Sequence, residues 1–209
     1  RKVDSTNTLS FLCVNCKLLA AFEMSDEIKA PSKEAIQKIK DQKVDVIMLT
    51  GDNEQTAQKV AKEVGIEHYK AKVLPQDKLN TIKDFQIKEQ VVAMAGDGIN
   101  DAPALAQADV SIAMGTGTDV AIESADITLL KGDLIGVYKS IVLSHKMMQN
   151  IKENLVFAFI YNVLGIPVAA GLLYPFFGIL LSPMLAAAAM SLSSVSVILN
   201  AARLNRAKI

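Results

Sequence analysis

The sequence is poor in several features that would point to particular functions. It has no tryptophan, only 5% aromatic residues and two cysteines among 209 residues. Its 22 basic and 22 acidic residues cancel, which excludes nucleic-acid binding driven by bulk charge. Charge is also missing locally, because no Asp, Glu, Lys or Arg occurs in the 49 residues from 154 to 202. The chain therefore divides into a charged part and an uncharged part.

The uncharged stretch has the length and composition of a membrane segment. A bilayer core of about 30 Å needs about 20 helical residues, so the stretch predicts two transmembrane helices, about 154–173 and 176–200, separated at Tyr174-Pro175. Basic residues flank it on both sides: Lys146 and Lys152 before, and Arg203, Arg206 and Lys208 after. By the positive-inside rule both ends are cytoplasmic, and residues 203–209 form a cytosolic basic tail. The lipid bilayer is thus an expected partner.

The scarce cysteines lie together in a C-V-N-C segment, as Cys13 and Cys16. A single CxxC without a second pair is weak evidence for a metal or redox site. Apolar runs on both sides of the segment instead indicate a β-hairpin within residues 1–22. The sequence also opens without Met and within the pattern of a strand, so we expect a fragment of a longer chain.

Residues 23–132 alternate short β-branched runs with amphipathic segments. This pattern predicts strands over 44–49, 69–73, 91–96, 110–114 and 126–130, and helices over 32–42, 53–64, 75–87, 101–107 and 118–124. Such alternation indicates an α/β fold with a Rossmann-like parallel sheet. A helix over 133–153 is expected to continue into the membrane, because no proline or turn cluster lies between Gly136 and Gly165.

Polar residues stand where the predicted strands end, which is where open parallel sheets place their active sites. The candidates are Thr50, Gly51 and Asp52 after one strand, Lys78 after the next, and Gly96 to Asp101 after a third. Asp97 and Asp101 offer the hard oxygen ligands that Mg²⁺ prefers. Thr50 can donate to a phosphoryl oxygen, and Lys78 can neutralise the charge there. The set predicts phosphoryl transfer, although a nucleophile is missing from it.

Polar residues inside the predicted membrane helices indicate an ion site. Tyr161 and Asn162 lie at the middle of the first helix, and Pro167 frees backbone groups near them. Met190 and Ser194 are four residues apart and share a face at similar depth in the second helix. For each residue taken singly, ordinary helix packing is the alternative explanation. Together, a thioether beside oxygen and amide donors without a carboxylate favours a soft monovalent ion: copper(I), with silver(I) beside it.

Three motifs resemble those of the P-type ATPases. They are MLTGDN from Met48, PQDK from Pro75, and AGDGINDAPALAQADVSIAMGTGTDVAIESADITLL from Ala95. The resemblance runs from about Leu9 to the end of the chain. It implies a partial phosphorylation domain of haloacid dehalogenase-like fold over 23–132, preceded by the last hairpin of a nucleotide-binding domain over 1–22. A long helix over 133–153 and a two-helix transmembrane hairpin over 154–202 follow.

The resemblance extends into the membrane part. Copper-exporting members carry an Asn-x6-Tyr-Asn-x4-Pro pattern, met here by Asn154, Tyr161, Asn162 and Pro167, and a Met-x2-Ser-Ser pattern, met by Met190, Ser193 and Ser194. Zinc and cadmium relatives place an Asp and a Lys in these helices, and neither occurs here. The resemblance therefore also implies copper(I) as the transported ion.

The resemblance assigns a role to each candidate at the strand ends. Asp97 coordinates Mg²⁺, with Asp101 and Asn100 in support. Thr50, Gly51 and Lys78 contact the phosphoryl group, and Asp52 positions the loop. The resemblance implies ATP as the phosphoryl donor, copper export, delivery of copper by a chaperone, and a plasma-membrane location with a cytosolic soluble domain. The phosphorylated aspartate of the family's Asp-Lys-Thr-Gly-Thr motif does not occur in this sequence, so we expect the chain alone to be inactive.

Two other interpretations remain open. The chain could be a haloacid dehalogenase-like phosphatase that the two apolar helices anchor in a membrane. That would require its own nucleophilic aspartate after a first strand, and none of Asp4, Asp26, Asp41 and Asp45 stands in such a motif. Alternatively, it could be a non-catalytic fragment that binds copper or a full-length pump.

Overall fold

The computed structural model describes residues 8–15, 17–24, 28–96, 99–115, 122, 125–172, 174–178 and 182–206. The chain divides into two compact units, Arg1–Tyr138 and Lys139–Ile209. The strands are β1 (Thr8–Val14), β2 (Lys17–Met24), β3 (Ile47–Leu49), β4 (His68–Lys70), β5 (Ala93–Gly96), β6 (Val110–Met114) and β7 (Ile127–Leu129). The helices are α1 (Pro31–Asp41), α2 (Glu54–Val64), α3 (Pro75–Ile87), α4 (Ala102–Gln107), α5 (Leu134–Ala169), α6 (Tyr174–Phe177) and α7 (Pro183–Arg203).

The parallel α/β arrangement of the first unit is confirmed. β3 pairs with β4, and β6 lies between β5 and β7, with all of these pairs parallel. In the described residues these are two separate ladders. The strands β3 and β4 are shorter than predicted, and β4 ends just before the backbone turns at Lys72, which has φ 54°. The predicted helix over 118–124 lies outside the described residues except for Ile122.

The core of the first unit consists of small and branched side chains where helices meet strands. Its buried members include Ala35, Ile36 and Ile39 of α1, Ala57, Ala61 and Val64 of α2, Ala104 and Leu105 of α4, and Ile112 and Ala113 of β6. On α1 and α2 these residues recur at helical spacing, so each helix has one buried face. This packing holds the helices against the sheet and leaves the loops at the strand ends accessible.

A polar contact between Ser111 and Asp126 fixes β7 beside β6. The backbone N–H of buried Ser111 donates to Asp126 Oδ2 over 2.9 Å, and its hydroxyl donates to the same oxygen over 2.7 Å. In return the Asp126 N–H donates to Ser111 Oγ over 2.9 Å. These bonds to the ionised form lower the pKa of the Asp126 carboxyl below its ordinary value. The pair therefore sets where the strand β7 begins.

The helix boundaries follow the predicted signals closely. Asn53 caps α2 by accepting from the Thr56 N–H over 2.9 Å, and Gly65 ends that helix with φ 81°. Pro31 and Pro75 stand in the first turns of α1 and α3. The helices are therefore delimited by local chemistry that is visible in the sequence.

The hairpin at the start of the chain is also confirmed. β1 and β2 pair antiparallel, with an irregularity between Leu12 and Cys13. Asn15 has φ 50° in the turn, a conformation that asparagine tolerates better than most residues. Cys13 is exposed, and Cys16 lies outside the described residues. Whether the hairpin belongs to a nucleotide-binding domain stays a prediction.

The second unit consists mainly of α5 and α7. α5 continues without interruption from Leu134 to Ala169, as predicted, with Pro167 in its last turn. In the described part of the chain, this helix alone is long and apolar enough to cross a membrane by length and composition. The second span, predicted over about 176–200, stays a prediction, and α7 coincides with it only from Pro183 onward.

Tyr174-Pro175 does lie between the two long helices, but the predicted end of the first span at residue 173 is wrong by four residues. α5 ends at Ala169, and Gly171 with φ 89° follows it. The Leu172 N–H donates to Pro167 O over 3.0 Å and the Gly171 N–H to Val168 O over 3.1 Å. These two bonds are typical of a helix that ends at a glycine. Such an ending requires a positive φ, which glycine adopts easily. Pro175 instead lies in the first turn of the short helix α6.

The end of α3 allows a direct test of whether a positive φ at a residue other than glycine weakens a helix end. Glu89 follows this helix with φ 59°, and its N–H donates to Gln86 O over 2.9 Å, while the Gln90 N–H donates to Phe85 O over 3.2 Å. Glycine suits this conformation better, so Glu89→Gly should stabilise the helix end by about 0.5–1 kcal/mol. Hydrogen exchange of residues 89 and 90 in the whole chain should slow roughly two- to fivefold.

The neighbouring residue supplies the control. Lys88 has an ordinary φ of −86°, so Lys88→Gly adds flexibility to the unfolded chain and relieves nothing. Exchange at the same amides should become faster in this variant. Equal effects of the two substitutions would contradict the explanation.

Candidate functional site

The loop after β3 is held by hydrogen bonds within itself and to the segment after β4. Thr50 Oγ1 donates to Asp52 Oδ2 over 2.8 Å and accepts from the Asp52 N–H over 3.1 Å. The Val73 N–H donates to Thr50 O over 3.0 Å, and the Lys72 N–H donates to Asp52 O over 2.8 Å. The loop is thus organised without a ligand, and Asp52 orients the Thr50 hydroxyl.

Lys78 and Asp101 form a largely buried ion pair. Lys78 lies in the first turn of α3, and Asp101 ends the 3₁₀ turn Ile99–Asp101 that precedes α4. Lys78 Nζ lies 2.7 Å from Asp101 Oδ1, and the two side chains are 16% and 11% exposed. Low exposure strengthens their attraction but makes it costly to lose either partner. The structure therefore brings together two predicted site residues that are 23 positions apart.

Gly96 provides the space that this ion pair needs. It is the last residue of β5, and a Cβ atom at this position would lie 2.8 Å from both Cβ and Oδ2 of Asp101. Any larger residue would push Asp101 away from Lys78. The glycine at this strand end is therefore explained by close approach of a carboxylate.

A cavity of about 380 Å³ adjoins the ion pair. Lys78, Gly96 and Asp101 form one part of its lining. Leu49 of β3 and Met94 and Ala95 of β5 also line it, so it lies between the two parallel ladders. Its remaining lining includes Lys29, Ser32 and residues 132–134. The cavity is thus lined by two lysines, two aspartates and a serine beside strand edges.

Sequence reasoning missed Lys29 and Ser32. Lys29 Nζ donates to the Gly132 carbonyl over 2.8 Å, across a separation of 103 residues. These residues precede or begin α1, where no phosphate-binding motif marks them. Their place in the cavity arises from long-range packing, which local spacing does not reveal.

The other residues predicted at the strand ends have different outcomes. Asp97 and Gly98 lie outside the described residues. Asn100 is described, as an exposed residue of the 3₁₀ turn. Among the described residues, no group of three or more His, Cys, Asp or Glu side chains could hold a metal. Mg²⁺ often binds proteins through one or two carboxylates and completes its shell with water and phosphate oxygens. The buried Asp101 carboxylate fits a supporting part in such a site.

The membrane-part candidates are placed on two helices. Tyr161 OH lies 3.3 Å from Ser196 Oγ, a partner that sequence reasoning missed. The other bonds stay within one helix, since Asn162 Nδ2 donates to Ala158 O over 2.8 Å and Ser194 Oγ to Met190 O over 3.3 Å. Met190 is 69% exposed. Its thioether is therefore accessible at the helix surface, as a ligand would require.

Two glycine substitutions test the geometry of the ion pair. Gly96→Ala should force Asp101 to move and destabilise the chain by about 1–3 kcal/mol, as overpacking does. Gly51→Ala is the matched control, because its Cβ would meet only Val73 O at 3.8 Å, an ordinary contact. Denaturant unfolding of the whole chain should show a shift for the first variant and about 0.5 kcal/mol or less for the second. Similar shifts for both variants would refute this account of Gly96.

Comparisons with known proteins show which proteins the chain resembles. A family model described as haloacid dehalogenase-like hydrolase matches residues 3–109. The copper-exporting P-type ATPase of Legionella pneumophila is 55% identical over 199 residues, which are 95% of this chain and 27% of the relative. The silver exporting P-type ATPase of Salmonella typhimurium is 54% identical over 202 residues, 97% of this chain and 24% of the relative.

A solved structure extends the likeness to three dimensions. The zinc-transporting PIB-type ATPase in its E2.Pi state matches with a TM-score of 0.80 and 34% identity, covering 95% of this chain and 32% of that chain. The chain spans about a quarter of the length of the curated relatives it matches. It belongs to the haloacid dehalogenase-like hydrolases, and over nearly its whole length it is similar to P-type ATPases.

Proposed function

We propose that this chain is the C-terminal part of an ATP-driven pump that exports copper(I), or silver(I), through an aspartyl-phosphate intermediate. One observation carries the proposal: a single chain joins a buried Lys78–Asp101 pair at a sheet edge to uncharged helices that bear an accessible thioether. The first feature suits phosphoryl transfer, and the second suits a soft cation. The copper- and silver-exporting relatives combine the same two functions in their names.

The phosphoryl group would be handled by the residues around the cavity. Lys78 would neutralise charge on the transferred group, and Asp101 would hold the ammonium in place. Thr50 would donate to a phosphoryl oxygen after its hydroxyl proton turns away from Asp52, to which it donates in this structure. Mg²⁺, when held by Asp97 with Asp101 and Asn100 in support, would neutralise phosphate charge. In this arrangement the protein contributes positioning and electrostatic stabilisation.

The reactive aspartate would come from another part of the longer protein. The cavity separates Leu49 of β3 from Met94, Ala95 and Gly96 of β5. In the described residues β3 and β5 each pair on one side only, so both edges toward the cavity can accept another strand. A strand inserted there would end beside Lys78 and Asp101. The side-chain carboxylate of an aspartate at the end of that strand would then lie within reach of both the phosphoryl donor and the Lys78 ammonium group.

Copper(I) is favoured over zinc by the chemistry of the helices. The solved structure that matches is a zinc transporter, but the copper- and silver-exporting relatives are closer in sequence, at 54–55% against 34% identity. Residues 154–202 contain no carboxylate, whereas a divalent ion in hydrocarbon calls for negative partners. Tyr161, Asn162, Met190 and Ser194 would supply neutral donors for a monovalent ion.

The helix α5 would connect the two functions. Leu134, its first residue, lines the cavity, and the same uninterrupted helix carries Tyr161 and Asn162. A movement of its first turn on phosphorylation would therefore be transmitted along a stiff rod. The soluble unit would face the cytosol, with the helices in the plasma membrane and copper delivered by a chaperone.

Activity of the isolated chain tests the assignment against an anchored phosphatase. We expect no Mg²⁺-dependent hydrolysis of a small phosphoester such as p-nitrophenyl phosphate, since the nucleophilic aspartate would come from elsewhere. In the full-length protein, Asp101→Asn should lower phosphoenzyme formation from ATP by roughly 10²-fold. Gln76→Ala, a change in the same turn of α3 as Lys78, is the control. Robust turnover by the isolated chain would reject the proposal.

A pair of methionines tests the ion site. Met190→Leu removes the thioether from the proposed site, whereas Met184→Leu makes the same change at another exposed methionine of α7. In the full-length protein the first variant should weaken copper(I) binding at least about tenfold, measured by competition with a copper(I) chelator. The second should bind copper normally. Equal affinities in both variants would exclude Met190 as a ligand.

A further inference from the structure

Three asparagines join α5 to α7 in a closed ring of hydrogen bonds. Asn150 Nδ2 donates to the Asn200 carbonyl over 2.8 Å, and Asn200 Nδ2 donates to Asn154 Oδ1 over 2.9 Å. Asn154 Nδ2 donates to Asn150 Oδ1 over 3.2 Å and closes the ring. Asn150 and Asn200 are buried, at 8% and 7% exposure. We call these three residues the asparagine clamp.

The clamp differs from most other polar contacts of these helices, although Tyr161 and Ser196 also meet between them. Ser191, Ser194 and Asn162 bond to carbonyls of their own helix, so they do not constrain a neighbour. The Arg203–Glu153 ion pair joins the two helices over 2.8 Å, but its side chains are 66% and 29% exposed, so solvent screens it. Buried amides, in contrast, lose hydrogen-bond partners when the helices slide, because their burial leaves no water to replace the lost partner.

The position of the clamp fixes which residues of the helices face each other. Asn154 meets Asn200, and further along Tyr161 meets Ser196, so the helices run antiparallel. Ser194 is two residues beyond Ser196, within about 3 Å of it along the helix axis. Ser194 therefore lies near the level of Tyr161, whereas Met190 lies about one turn deeper. This refines the prediction that both residues of α7 share the depth of Tyr161.

A slip of one turn would change the donors at that level. A turn moves a helix by about 5.4 Å. Shifting α7 by one turn in the outward direction would replace Ser194 by Ile198, which offers no donor. It would also separate each amide of the clamp from its partner. The ring has a single register in which all three amide groups are paired.

We propose that Asn150, Asn154 and Asn200 are positioning residues that set the axial register of α7 against α5, and with it the level of Ser194 and Met190 relative to Tyr161. The effect on ion binding rests on the proposed function, but the register itself does not. The clamp lies at the end of the helices nearest the charged residues Glu153 and Arg203. It can therefore set the axial level of the ion donors without occupying the ion site.

Cross-linking of the whole chain measures the register directly. Two cysteine pairs are built with Cys13 and Cys16 replaced by serine: Glu153→Cys with Arg203→Cys in register, and Glu153→Cys with Leu199→Cys one turn away. A short bifunctional thiol reagent is applied in lipid vesicles, without copper. With the clamp intact, the in-register pair should react at least about tenfold faster than the other.

Removing the clamp should reduce this preference. Asn200→Ala deletes one bond between the helices and should lower the ratio of rates about threefold, and Asn150→Ala with Asn200→Ala deletes two and should lower it roughly eightfold. Ser191→Ala, which removes a hydroxyl bonded within α7, should leave the ratio unchanged. A double variant that behaves like this control would overturn the proposal. If the double variant does not fold, the single variants carry the test.

Copper binding separates this inference from the proposed function. In the full-length protein, Asn200→Ala should weaken copper(I) binding by about the factor by which it lowers the cross-linking ratio. Unchanged copper affinity would overturn the positioning role if Met190→Leu does weaken binding. If Met190→Leu has no effect either, the failure belongs to the proposed ion site, and a lowered cross-linking ratio still supports the clamp as the register device.

Discussion

The soluble site depends on one interaction, the buried pair of Lys78 and Asp101. Burial of two charges costs desolvation energy, so such a pair is weak evidence for stability and needs exact geometry to persist. Gly96 supplies that geometry, because no side chain at this strand end fits against the carboxylate. The pair fixes an ammonium group beside a cavity. In the proposed function, its value is a cation that would already be in place when a phosphate group arrives.

Much of this site could be predicted from the sequence because parallel strands end at one edge. The rule placed Lys78 and Asp101 together although 23 positions separate them. It could not find Lys29, whose contact with Gly132 spans 103 residues and depends on how α1 packs. Strand lengths were also overestimated, since the positive φ of Lys72 has no sequence signal as plain as glycine. Turns and helix ends can be predicted from the sequence where glycine, proline or asparagine determines the backbone conformation.

In the second unit, composition predicted continuous helices but not their register. The absence of helix breakers before Gly165 anticipated the uninterrupted α5. The partner of Tyr161 could not be anticipated, because which serine of α7 lies opposite depends on the axial alignment of two helices. A hydropathy pattern is nearly unchanged when an apolar helix slides by one turn. The register is instead specified by a few buried amides, which composition alone does not distinguish from ordinary packing.

The two units use opposite electrostatic strategies, and each follows from its surroundings. Near water, the site can hold charged groups such as Lys78 and Asp101 and use them on a multiply charged phosphate. In hydrocarbon the cost of an ion rises with the square of its charge, so a stretch without carboxylates can accommodate a monovalent ion far more easily than a divalent one. Neutral donors then bind mainly by softness and position, as a thioether binds copper(I). Neutral donors attract an ion weakly at long range, so their alignment matters more than the alignment of carboxylates. This need for alignment accounts for the buried asparagines that fix the register of the helices beside them.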